Sequence, residues 1–109
     1  MKTIFSKIID REIPADIVAE NDQVIVFRDI NPKTPIHVLI VPKKEIKDIQ
    51  SFAPEDFVYA QAIFAMAQQL SQTIPGAEEF RLQINSGYRA GQRVFHVHAH
   101  FLAGAELAA

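Results

Sequence analysis

The chain contains no cysteine, which removes disulfides, thiol nucleophiles and cysteine-ligated zinc from consideration and fits a reducing compartment. No apolar run approaches the ~20 residues that span a bilayer. The opening Met1-Lys2-Thr3-Ile4-Phe5-Ser6-Lys7 lacks the apolar centre of a signal peptide, so a cytoplasmic protein is expected. No block of lysine or arginine stands out, and 11 basic against 13 acidic side chains leave a formal net charge of −2. Nucleic acid polymers and membranes are therefore not expected partners, and any nucleotide recognised should be small. Repeats, low-complexity tracts and linkers are missing as well, so a single domain over 1–109 with a modest core is expected.

What is present is periodic. Thr3 can cap a short helix through Ile4, Phe5, Ile8 and Ile9, with Pro14 ending it. Ile17–Glu20 and Gln23–Arg28 read as strands joined by a turn at Asn21-Asp22. After a loop with two prolines, Ile36–Val41 reads as a strand with His37 at its entrance, and Glu45 to Ile49 as a short helical passage. Pro54, followed by Glu55 and Asp56, opens the longest helix, and Pro75-Gly76 stops it. Its predicted buried stripe is Phe57, Ala60, Phe64, Ala67 and Ile74, with Gln61, Gln68 and Gln72 facing out. Phe80–Asn85 alternates apolar with polar residues as an amphipathic strand does. In the loop Ser86–Arg93 that follows, Gly87 and Gly91 permit positive φ or close approach to a ligand.

That loop leads into Phe95-His96-Val97-His98-Ala99-His100-Phe101-Leu102, which holds three of the four histidines. On a strand, His96, His98 and His100 share one face while Phe95, Val97, Ala99 and Phe101 share the other. Alternate strand positions are about 6.6 Å apart and the outer pair about 13 Å. Metal–nitrogen bonds are only about 2 Å, so the three rings alone do not converge on one ion. A row of imidazoles suits an extended anion instead, because each ring can donate a hydrogen bond, carry charge or attack an electrophile near neutral pH. Phosphate esters and anhydrides fit, and no metal or cofactor is expected.

The run His96-Val97-His98-Ala99-His100-Phe101-Leu102 resembles the signature of the histidine triad (HIT) superfamily. Further matches are Thr3–Ile9, Glu12-Ile13-Pro14, Phe27-Arg28-Asp29-Ile30, Pro35-Ile36-His37, Ile40-Val41-Pro42-Lys43, Asn85 and Gly91-Gln92. Together they make the chain similar to the branch of histidine triad nucleotide-binding proteins, the purine nucleoside phosphoramidate hydrolases. The resemblance covers nearly the whole chain. It implies an α+β, HIT-like fold with a five-stranded antiparallel sheet and two helices, assembled as a homodimer with a continuous sheet.

The same resemblance implies a hydrolase acting on the P–N bond of adenosine 5′-phosphoramidate or adenylate-type substrates, with no cofactor. His98 would attack the α-phosphorus, forming a nucleotidylated histidine that water resolves to the nucleoside monophosphate, AMP or GMP. His100 would hydrogen-bond the phosphate or leaving group, His96 would hold the strand in register, and His37 would support the triad from behind. Asn85, Gly91 and Gln92 would add donors to the phosphate. Asp29 would accept the ribose hydroxyls, and Phe5, Ile8, Ile13, Phe27 and Ile30 would form the base pocket. Two departures bear on substrate choice. Arg93 stands where the branch carries a hydroxyl residue or a carboxylate, and the chain stops soon after Gly104. The competing readings are a dinucleoside polyphosphate hydrolase, a non-catalytic nucleotide-binding module, and a metalloprotein using His37, His98 and His100.

Overall fold

The computed structural model describes residues 2–109. Helix α1 spans Ile4–Ile9 and begins with a reciprocal cap: Ser6 N–H donates to Thr3 Oγ1 at 3.2 Å, and Thr3 N–H donates to Ser6 Oγ at 2.8 Å. The Ser6 hydroxyl also donates to Glu45 Oε1 at 2.6 Å, fastening the helix to a segment 39 residues away. α1 stops well before Pro14. Arg11 adopts a left-handed φ of +63°, while Arg11 N–H and Glu12 N–H return to the carbonyls of Ile8 and Lys7 at 3.1 and 2.8 Å. Those bonds satisfy the last carbonyls of the helix without any proline.

Five strands follow, β1 (Ile17–Glu20), β2 (Val24–Arg28), β3 (Ile36–Pro42), β4 (Phe80–Gln83) and β5 (Ala99–Ala103). They form the expected single antiparallel sheet, and its strand order is β1-β2-β3-β5-β4. The side chain of Asn21 makes the first turn, its Oδ1 accepting from Gln23 N–H at 2.8 Å and Val24 N–H at 2.9 Å.

Strand alternation divides the core into two layers. Val24, Val26, Val38, Ile40, Ala99, Phe101 and Ala103 pack against helix α2, which spans Phe57–Thr73. On the opposite face Ile25, Phe27, Leu39 and Val41 pack against Phe5 and Ile8 of α1. The triad belongs to this second face.

Three local expectations are corrected. The helical passage at Glu45–Ile49 is instead a single 3₁₀ turn at Ile49–Ser51, capped by Asp48 Oδ1, which accepts from Ser51 N–H at 2.9 Å. Pro54–Asp56 forms a further 3₁₀ turn ahead of α2. The inward stripe of α2 is Ala62, Ile63, Met66, Ala67 and Leu70, whereas Phe57 and Phe64 stay 56% and 67% exposed. α2 carries two apolar stripes. The sheet takes the one spaced i, i+3, i+4, i+7 from Ile63, and the phenylalanines are left on the other side. Among the described residues, no helix is long and apolar enough to cross a membrane.

Leu70 is 1% exposed in the layer between α2 and the sheet. Leu70→Ala should lower the unfolding free energy by about 3 kcal/mol in a denaturant titration; a loss below about 1 kcal/mol would mean that this layer is not close-packed.

Candidate active site

The three triad rings lie on the α1 face, as alternation requires, but the segment is not one continuous strand. Ladder pairing of β5 with β3 begins at Ala99, opposite Ile40. Continued pairing would set Pro42 against Val97, and proline has no N–H to give. Val97 N–H instead donates to Ile46 O at 2.7 Å, and the Pro42 carbonyl accepts from His96 Nε2 at 2.6 Å. So β3 ends, and His96 and His98 sit in extended chain that is held by a side chain and a loop.

The hydrogen-bond partners assign every ring proton. His96 donates from Nε2 to a carbonyl, so its Nδ1 is bare, buried and without a partner. His98 Nδ1 lies 2.8 Å from the His96 carbonyl, which can only accept; the proton is on Nδ1 and the Nε2 lone pair is free. On the neighbouring side, Lys33 N–H donates to His37 Nδ1 at 2.9 Å, which puts the His37 proton on Nε2. That nitrogen donates to His100 Nδ1 at 3.0 Å, leaving a proton on His100 Nε2. His37 and His100 meet as diagonal neighbours across the ladder, since His37 pairs with Leu102 and His100 with Leu39. The site therefore presents one bare imidazole nitrogen on His98 beside one imidazole N–H on His100, with ring centres 5.2 Å apart.

Burial keeps all four rings neutral. Desolvation lowers the pKa of His37, His96 and His98 below the ordinary imidazole value. For His100, desolvation with His98 and His37 as neighbours lowers it to about 4. A neutral imidazole is the form that has a lone pair to donate. Phe5 of α1 covers the ring edge-on, 4.9 Å from His98 and 5.5 Å from Phe27.

Asp29 stands beside this pair. Its Oδ1 accepts from Asn31 N–H at 2.8 Å, and its Oδ2 lies 3.4 Å from His37 Nε2. Asp29, His37 and His100 thus bring potential ligand atoms within 4.8 Å of one another. A cation there would need a bare Nε2 on His37, but the Lys33 amide occupies Nδ1 and leaves the proton on the inward nitrogen. The cluster is a hydrogen-bond chain.

Phe5, Ile8 and Phe27 are core residues at 4–6% exposure, Ile13 is half-buried against them, and Ile30 is 90% exposed at the rim. Asn85 spends an Nδ2 hydrogen on Ala90 O at 2.8 Å. Gln92 is 1% exposed and fully committed to protein groups. Its Oε1 accepts from Gly87 N–H at 2.8 Å, and its Nε2 donates to Lys47 O at 2.7 Å and Val94 O at 3.0 Å. Its backbone N–H goes to Gly87 O. Gln92 therefore shapes the loop, with no free donor for a phosphate. Gly87 and Gly91, at φ +107° and +99°, make the turns that a side chain would strain. Sequence reasoning missed the Lys33 amide and the carbonyls of Pro42 and His96, since backbone groups leave no compositional signal. A cleft of about 580 Å³ between the start of β4 and Glu106-Leu107 lies at the far end of β5 from His98 and contains no histidine.

Fold and site together define a histidine triad protein. The model of the HIT domain matches residues 10–107, and the chain belongs to that family. It is 45% identical to an uncharacterized HIT-like protein of Synechocystis, over 94% of this chain and 90% of the relative. It is 40% identical to the purine nucleoside phosphoramidase of Escherichia coli, over 97% and 90%. A solved HIT family hydrolase from Clostridium thermocellum superposes with a TM-score of 0.94 at 38% identity, covering 99% of this chain and 95% of that one.

The unfolded chain takes up protons on its histidines from about pH 6.5, whereas the folded protein resists until lower pH, so stability must fall on acidification through this window. The depressed carboxyls of Glu20 and Asp56 act only below their ordinary values of 4.5 and 3.8. Thermal unfolding followed between pH 7.5 and 4.5 should show Tm decreasing steadily below pH 6.5; a constant Tm would contradict neutral buried imidazoles.

Proposed function

We propose that this member of the HIT family is a hydrolase that cleaves purine nucleoside 5′-phosphoramidates through a nucleotidylated His98. The observation that carries the reading is the His98 Nδ1–H bond to the His96 carbonyl, which leaves Nε2 bare toward an electrophile. The likeness to the E. coli phosphoramidase supports the same reaction.

In the first step the Nε2 lone pair bonds to the α-phosphorus, the P–N bond breaks, and the amine leaves with a proton from solvent. In the second, water attacks phosphorus, the P–Nε2 bond breaks, and nucleoside monophosphate departs with a proton released to solvent. His100 Nε2–H hydrogen-bonds a phosphoryl oxygen through both steps, and the Lys33–His37 chain holds that donor in its tautomer. The Asp29 carboxylate accepts the ribose hydroxyls, while Ile30 and Ile13, above Phe5, Ile8 and Phe27, meet the base. His98→Ala should reduce adenosine 5′-phosphoramidate turnover at least about 10³-fold while AMP affinity by calorimetry stays within a few-fold. Retained turnover would refute His98 as nucleophile.

A homodimer is part of this proposal. Exposed Phe57 and Phe64 on α2, with Phe80 at 38% exposure on the free edge strand β4, suit pairing with a second copy through sheet and helix. Sedimentation velocity should give twice the monomer mass for the native protein and the monomer mass for Phe64→Glu; a native monomer would remove the dimer from the account.

A further inference from the structure

We propose that Glu45 is a positioning residue for the triad, which holds Phe5 against the His98 ring by way of the Ser6 hydroxyl. Its bearing on turnover rests on the reading of His98 as nucleophile. Three residues in and beside the loop after β3 each hold a different part of the site. The Pro42 carbonyl accepts from His96 Nε2 at 2.6 Å, and the Ile46 carbonyl accepts from the N–H of Val97, which lies between His96 and His98, at 2.7 Å. Between those two carbonyls in sequence, Glu45 Oε1 accepts from the Ser6 hydroxyl at 2.6 Å. One short loop therefore sets the triad and α1 in register with each other.

The loop is pinned in turn. Lys43 pairs with Glu20 of β1 at 2.7 Å, and Lys44 pairs at 2.5 Å with Asp56, which is buried just ahead of α2. α1 has no such set of ties. Its polar side chains are Ser6 and Lys7, and among the described residues only Ser6 bonds to a residue beyond the helix and its cap. A six-residue helix has little stability of its own. The apolar packing of Phe5 and Ile8 is non-directional, so the Ser6–Glu45 bond supplies the directional restraint, one residue from Phe5.

That restraint reaches His98. The Phe5 ring centre lies 4.9 Å from that of His98, with the planes at 83°. Phe5 keeps water from that side of the imidazole, and desolvation is the leading cause that holds the His98 pKa below the ordinary value. The titratable groups that also act on His98 are His96 and Asp29, with His100 beside it, and none of these lies on α1. Freed from Glu45, α1 admits water to the ring, and His98 takes up a proton more readily. Loss of the Glu45 charge by itself has the opposite sign, because removing an anion disfavours an imidazolium. The direction of the change separates the two effects.

The test is a histidine NMR titration of the native protein, Glu45→Ala and Glu45→Gln, with kcat/KM for adenosine 5′-phosphoramidate measured over the same pH range. Glu45→Ala should raise the ratio of protonated to neutral His98 about threefold at a given pH and move the acid limb of kcat/KM to higher pH by the matching amount. Glu45→Gln keeps an oxygen for the Ser6 hydroxyl and should titrate at or slightly below the native midpoint. A purely structural contribution would lower Tm and leave the His98 titration in place, which would overturn the proposal. A downward midpoint in Glu45→Ala, or a Glu45→Gln protein displaced upward as far as Glu45→Ala, would overturn it as well. The titration needs no turnover, so a native protein inactive on the phosphoramidate would refute the reading of His98 while the NMR arm still decides the role of Glu45.

Discussion

Pro42 has no hydrogen to offer a neighbouring strand, and much of the site follows from that vacancy in the ladder. Were β3 and β5 paired throughout, the His96 carbonyl would sit in a regular register and the backbone of the triad would be flat sheet. Instead the ladder closes at Ile40 and Ala99, the Pro42 carbonyl takes the His96 ring, and the His96 carbonyl takes His98 Nδ1. Two short bonds in series convert a break in a sheet into a defined tautomer. The bare nitrogen of His98 is set by the chain beside it, two residues upstream.

A second series of bonds sets the opposite tautomer on His100. It begins at an amide in the loop before β3, passes through His37, and ends at an N–H on the half-buried ring of His100. One ring shows a lone pair and its neighbour shows a hydrogen, and this polarity distinguishes the pair from a row of equivalent imidazoles. Low dielectric surroundings strengthen both series and keep the rings uncharged.

The small helix α1 has a large share in those surroundings. Alone, a six-residue helix would not persist in water. Its cap, the Ser6 bond to Glu45 and the burial of Phe5 and Ile8 hold it against the sheet, and Phe5 supplies the apolar wall of His98. α2 has a different task. It covers the other sheet face with one stripe and turns Phe57 and Phe64 outward, so the faces for packing and for chemistry stay separate.

Element order, the two helices, the five strands and the shared face of His96, His98 and His100 could be read from the chain directly, because strand alternation and helical periodicity are local and the cap at Thr3 is written in residue type. Asp29 and His37 were singled out through the family pattern around them, and the fold brings both beside His100. The end of α1 at Arg11 and the choice between two apolar stripes on α2 were not, since helix termination and burial depend on what lies opposite. Nor were the protons. Which nitrogen of His98 is bare, and that Gln92 is consumed by the loop instead of offered to a phosphate, are decided by backbone carbonyls and amides distant in sequence, and only the folded chain brings those groups within hydrogen-bond distance.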